Sequence, residues 1–265
     1  MVEAERGLLS VEEAIEAGLP FDEPQRRTCP HCGRPLEPMG ISLNGRVAWV
    51  AARECACDGA RAQRRDRELA QERQRASMAA AEAERRMDAA GIPRRFRAAE
   101  VDDRRILGYI AAFGEAKGVG LYIHGKVGRG KTHAASALAR EFLDAGYLVV
   151  FTTAKDMLEA VKSTFDGKGD TASAVGRFSG CDVLVIDDLG KEDATEWSLG
   201  TVFAVVNARY EAMLPTILTS NYAPDELEER LARKGERVTA EAIASRIAEV
   251  CAIVRLPGPD RRRSG

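Results

Sequence analysis

The chain has 265 residues, enough for one substantial α/β domain and a small accessory module. It is 45% hydrophobic, 30% charged and 6% aromatic, and its net charge of -2 gives no global pull toward nucleic acid, so any such pull needs local patches. No run of about 18 apolar residues occurs, and the acidic N-terminus carries no basic segment followed by an apolar stretch, so a cytoplasmic chain with no membrane segment is expected.

Residues 1–60 hold a cysteine group and many turn-formers. Cys29-Pro30-His31-Cys32 and Cys55-Ala56-Cys57 give C-x-x-C followed by C-x-C. In a reducing cytosol such a group binds metal more often than it forms disulfides. Four thiolates can surround Zn²⁺ tetrahedrally, and Gly33 suits the tight turn of a knuckle. His31 is either a substitute ligand or a solvent-facing knuckle residue. A module this small builds little core, so metal would supply much of its folding free energy. Residues 61–91 follow, rich in Ala, Arg, Glu and Gln with few large apolar residues. That composition suits a solvated helix or helical linker. Its arginines, from Arg61 to Arg86, make it locally basic, the pattern of a charged solvated helix or of a surface for phosphates. Gly91-Ile92-Pro93 then stops it.

The compact domain is expected over 92–265. Strand candidates are 121–124, 147–152, 183–187, 216–219 and 252–256. Helical patterns fill 131–145, 154–165, 195–213, 224–233 and 240–249. Five apolar runs separated by helices predict a five-stranded parallel sheet covered on both faces. Val183-Leu184-Val185-Ile186 shows no polar alternation, as a central strand buried on both sides requires.

Gly125-Lys126-Val127-Gly128-Arg129-Gly130-Lys131-Thr132 fits G-x-x-x-x-G-K-[ST] in full. Its glycines let backbone N–H groups wrap the phosphates of a nucleotide at the start of a helix, whose dipole favours anions. Lys131 reaches the β/γ-phosphates, and the Thr132 hydroxyl meets Mg²⁺. The binding set for ATP or ADP is Gly125, Gly128, Arg129, Gly130, Lys131, Thr132, His133 and Asp187. Asp187, at the tip of a buried strand, can hold Mg²⁺ opposite Thr132, the Walker-B role. Asp188 then orients or deprotonates the attacking water. It is one methylene shorter than the Glu common there, so slow hydrolysis to ADP and phosphate is expected. Asn221 faces the γ-phosphate if its strand lies between the other two, and is otherwise an ordinary turn residue.

Beyond the single motifs an ordered series runs through the domain: Gly91-Ile92-Pro93-Arg94-Arg95-Phe96, the phosphate loop, Asp187-Asp188-Leu189-Gly190, Thr195-Glu196-Trp197, Asn207-Ala208-Arg209-Tyr210, Pro215-Thr216-Ile217-Leu218-Thr219-Ser220-Asn221 and Ser245-Arg246-Ile247. Over about 92–262 this series resembles the AAA+ ATPases of the DnaC/DnaI helicase-loader group, with the transposition helper IstB as a close relative. The resemblance implies a sensor-1 role for Asn221. It implies an arginine finger at Arg246 that completes the neighbouring subunit's site in a homo-oligomer on the helicase. It implies no separate C-terminal lid, with Arg262 a sensor-2 candidate. It places a single-stranded-DNA insert at 154–180, where Lys155, Lys162, Phe165, Lys168 and Arg177 form either a basic groove or a solvated helix with a core Phe. It also implies that the zinc module binds a DnaB-type replicative helicase. The expected task is ATP-dependent loading of that helicase onto single-stranded DNA. The alternatives are an IstB-like helper of transposition and a nucleotide-gated adaptor with little hydrolysis.

Overall fold

The computed structural model describes residues 7–115, 117–165, 169–233 and 236–261. Two units are formed, Met1–Ala81 and Glu82–Gly265. None of the described helices is long and apolar enough to cross a membrane.

The first unit holds α1 (Val11–Glu16), the short pair β1 (Arg27–Thr28) and β2 (Pro35–Leu36), the hairpin β3 (Pro38–Leu43) and β4 (Arg46–Ala52), and most of α2 (Asp58–Ala90). Ser10 and Glu13 cap α1 reciprocally. Between β3 and β4, Asn44 and Gly45 have φ of 52° and 77°, the two left-handed residues that a tight hairpin turn demands. Phe21 meets Trp49 edge-on at 5.3 Å, and Trp49 Nε1 donates to the Asp22 carbonyl at 2.8 Å. Few apolar side chains are fully buried here; among the described residues they are Ala14, Cys29 and Val47. Apolar burial on that scale does not by itself hold a module together.

In the second unit α3 (Arg104–Ala112) precedes β5 (Gly120–His124), α4 (Lys131–Asp144), β6 (Val149–Thr153), α5 (Ala154–Lys162), α6 (Thr171–Ser179), β7 (Val183–Leu189), α7 (Glu196–Glu211), β8 (Thr216–Ser220), α8 (Pro224–Ala232), α9 (Arg237–Val250) and β9 (Cys251–Arg255). The sheet runs β6-β7-β8-β5-β9, with every pair parallel. Side chains alternate across it. Val183 and Val185 join Leu121, Ile123 and Phe151 under α4, whose run of alanines lets it approach closely. Leu184 and Ile186 join Tyr122 and Leu218 under α5 to α9. Both faces are therefore core, which explains the unbroken apolar run of β7.

Arg209 of α7 is fully buried. Its guanidinium donates to the carbonyls of Phe178, Cys181 and Pro215 and to Thr216 Oγ1, at 2.7–3.0 Å. It thereby fixes the entry points of β7 and β8, the two strands whose far ends carry the acidic and amide groups of the site.

Candidate functional site

The phosphate loop leaves the C-terminal end of β5 and enters α4 through Gly130, at φ 85°, a left-handed conformation that glycine adopts without strain. Gly128 is required for a second reason. The Asp260 carboxylate lies against its Cα, where any side chain would collide. The chain after β9 thus crosses the loop, and Arg261 N–H donates to the Gly128 carbonyl at 2.9 Å.

Lys131 is 6% exposed. Its Nζ donates to the Gly125 carbonyl at 2.8 Å, the Lys126 carbonyl at 3.1 Å and Asn221 Oδ1 at 2.7 Å. The condition set on Asn221 is met: β8 lies between β5 and β7. Thr132 Oγ1 donates to Asp187 Oδ2 at 2.9 Å. Asp187 is 4% exposed, and burial pushes its carboxyl above the usual range while hydrogen bonds from Thr219 and Thr132 pull it back. A hydroxyl and a carboxylate side by side are hard oxygen donors suited to Mg²⁺.

Asp188 follows at φ 60°, a strained value for a residue with a side chain. The strain is held by Thr219, whose hydroxyl accepts the Asp188 N–H at 2.9 Å while donating to the Asp187 carboxylate. Asp188 Oδ2 lies 2.6 Å from Lys191 Nζ. A cavity of about 410 Å³ opens over these groups. Its lining includes residues 127–133, Asp188 and Asn221, so Gly128, Arg129, Gly130, Lys131, Thr132 and His133 come together. Arg95, Phe96, Lys191 and Arg261 line it too, and sequence reading did not assign them. Phe96 stands edge-on to His133 at 6.3 Å, and the stretch Gly91 to Phe96 before the core was the available signal. Thr219 was also missed, although it lies on β8 two residues before Asn221, which follows the strand's end.

Arg246 does not line this cavity. On α9 it donates from Nε to Asn207 Oδ1 at 2.6 Å, with its guanidinium 4.6 Å from the Tyr210 ring centroid. In the 154–180 stretch Phe165 is 40% exposed and meets Trp197, 38% exposed, edge-on at 5.7 Å. Lys162 is exposed nearby in sequence, Lys155 pairs with Glu159 at 3.6 Å, and Arg177 lies over the ring of the buried Phe178. Lys168 and Arg262 lie outside the described residues.

The first unit brings Cys29, Cys32, Cys55 and Cys57 together, with all four sulfurs within 4.8 Å of one another. Cys29 and Cys57 are 3.7 Å apart, and Cys32 and Cys55 are 3.5 Å apart. With Zn–S near 2.3 Å the edge of a ZnS₄ tetrahedron is about 3.8 Å, so the sulfurs fit the ion. The backbone N–H of His31 draws the Cys29 thiol down, while at Cys32 the backbone N–H of Arg34 is outweighed by burial and the neighbouring sulfurs, which push that thiol up, so without a cation the four sulfurs do not all carry charge together. The His31 ring turns to Gln63, Nε2 to Oε1 3.1 Å, and is not part of the cluster.

The model of the IstB-like ATP binding protein family matches residues 42–264. The chain belongs to that family. It is 30% identical over 165 residues to the replicative helicase loader DnaI of Bacillus subtilis, covering 60% of this chain and 53% of that protein. To the replicative helicase loader DnaC of Escherichia coli it is 32% identical over 115 residues, covering 43% and 46%. A crystal structure of DnaI superposes with a TM-score of 0.53 at 26% identity, over 64% of this chain and 94% of that one. This family member therefore carries an ATP-binding AAA+ fold, and it spans about half the length of the curated loaders it matches.

Proposed function

We propose that this chain is an ATP-dependent loader that delivers a ring-shaped, DnaB-type replicative helicase to single-stranded DNA. One observation carries the reading: Lys131, Thr132 and Asn221 line one cavity, with Asp187 hydrogen-bonded to Thr132, all from three neighbouring strand ends in a family whose members bind ATP. In it Lys131 and the loop N–H groups hold the β/γ-phosphates, and Asn221 reads the terminal phosphate. Thr132 and Asp187 would hold Mg²⁺, which when bound neutralises phosphate charge. Asp188 orients the attacking water and takes its proton, giving slow hydrolysis to ADP and phosphate. Arg246 is the finger offered to the next subunit. The likeness to DnaI and DnaC supports the helicase as partner.

Phe165 and Trp197, both exposed and set edge-on to each other, with Lys162, offer aromatic faces for bases beside positive charge, the chemistry of sequence-neutral single-strand binding. The four cysteines hold a structural Zn²⁺, and the module they organise meets the helicase. The domain scheme is a helicase-binding module over 1–60, a helical linker over 61–91 and the ATPase over 92–265.

The family's IstB name favours a second reading, an ATPase that assists transposition. Co-purification separates the two. The chain retains a replicative helicase in the presence of ATP, and Lys131→Ala, which loses at least tenfold in ATP affinity, releases it. Retention of a transposase and not of the helicase overturns the loader reading. Turnover indistinguishable from zero with single-stranded DNA and helicase present leaves a nucleotide-gated adaptor instead.

A further inference from the structure

We propose that Lys191 is a ligand of the terminal phosphate of ATP, and that the nucleotide-free protein stores its ammonium on Asp188. The proposal rests on the reading of the cavity as an ATP site. Lys191 Nζ lies 2.6 Å from Asp188 Oδ2, and both side chains line the same cavity as the phosphate loop and Asn221. No nucleotide-binding motif in the sequence accounts for a cation at this position.

The turn that carries Lys191 is fixed at several points. Asp188 sits at φ 60° with its N–H on Thr219 Oγ1. Gly190, at φ 89°, gives its N–H to the buried carboxyl of Glu192 at 2.9 Å. The Lys191 N–H closes the turn on the Asp188 carbonyl at 3.2 Å. The backbone thus holds both side chains at the cavity wall, and only the ion pair itself is free to change.

That pair is weakly held. The Lys191 side chain is 47% exposed and that of Asp188 31%, and half-exposed ion pairs contribute little net stabilisation. A terminal phosphoryl group carries more charge than one carboxylate and takes the ammonium from it. ADP lacks that group and leaves the pair closed. Asp188 therefore becomes available to water only when a γ-phosphate is present. No bond is made or broken in this exchange, which swaps one charge-assisted contact for another.

Calorimetric titration of the full chain with Mg²⁺ and either ADP or a non-hydrolysable ATP analogue tests it. Lys191→Ala weakens the analogue about fivefold and ADP less than twofold, as loss of one charge-assisted contact to the γ-phosphate requires. Asp188→Asn, which frees Lys191, tightens the analogue, and adding Lys191→Ala removes that gain. Retained ADP affinity shows that each variant is folded. Equal effects of Lys191→Ala on both nucleotides, or no effect on either, overturn the proposal. Wild type that binds neither nucleotide overturns the site reading beneath it.

Discussion

A carboxylate is costly to bury, and Asp187 is 4% exposed with a second carboxylate next to it in the chain. Burial raises its affinity for a proton, Asp188 adds to the rise, and Thr219, Thr132 and Lys191 oppose it without cancelling it. The folded carboxyl thus holds a proton more tightly than the unfolded one, whose ordinary value is 3.8. Stability contributed by this group is present at low pH and is lost as pH rises from that value through the folded one. Asp187→Asn removes the loss. In nucleotide-free protein at pH 7 it raises Tm by roughly 2–4 °C, the size that about 1 kcal/mol gives in a domain this large. The gain shrinks as the pH is lowered toward 3.8. The same variant forfeits the Mg²⁺-dependent part of its stabilisation by ATP. Thermal melts across pH, with and without Mg-ATP, check both halves, and a variant less stable than wild type at pH 7 contradicts the argument.

At the scale of elements, the sheet was legible because each strand is a short apolar run and β7 is buried on both faces. The five expected strands match β5 to β9 within two residues at each end. The loop was legible because phosphate binding needs glycines at fixed spacing, and Lys131, Thr132 and Asp187 fall together as expected. Sequence did not reveal Lys191 or Arg261, since a surface-type cation carries no pattern and only folding brings it to the cavity. The hairpin of β3 and β4 is announced by Asn44-Gly45, a left-handed two-residue turn in the same stretch that carries the cysteines. Those cysteines are contributed by the turn after β1 and the segment between β4 and α2, so one ion would tie elements that share little apolar core. Metal removal tests this. Freshly purified protein contains one zinc per chain, and a strong chelator or Cys32→Ser abolishes the near-ultraviolet signal of Trp49 while ATP affinity changes less than twofold. Protein without zinc that keeps this signal refutes a structural metal.

At the scale of the whole molecule, the cavity is lined by cations of its own unit, Lys131, Lys191 and Arg261 among them, whereas Arg246 stands elsewhere on α9. Its contacts to Asn207 and Tyr210 hold the guanidinium on a helix face, not against its own nucleotide site. If Arg246 is the finger proposed above, it serves a neighbour, and hydrolysis is then a property of the assembly. Arg246→Ala should therefore keep nucleotide affinity and lose about a thousandfold of the turnover stimulated by helicase and single-stranded DNA, the low end of the range of trans-acting arginines. Mixing decides between action in cis and in trans. Asp188→Asn chains bind ATP and retain Arg246 but do not hydrolyse, whereas Arg246→Ala chains retain Asp188. An equimolar mixture of two inactive variants regains turnover only where an intact finger from one faces an intact site on the other. Recovery establishes action across the subunit boundary. If the mixture stays as inactive as its parts while still assembling on the helicase, Arg246 is a structural residue of α9 and the finger lies elsewhere.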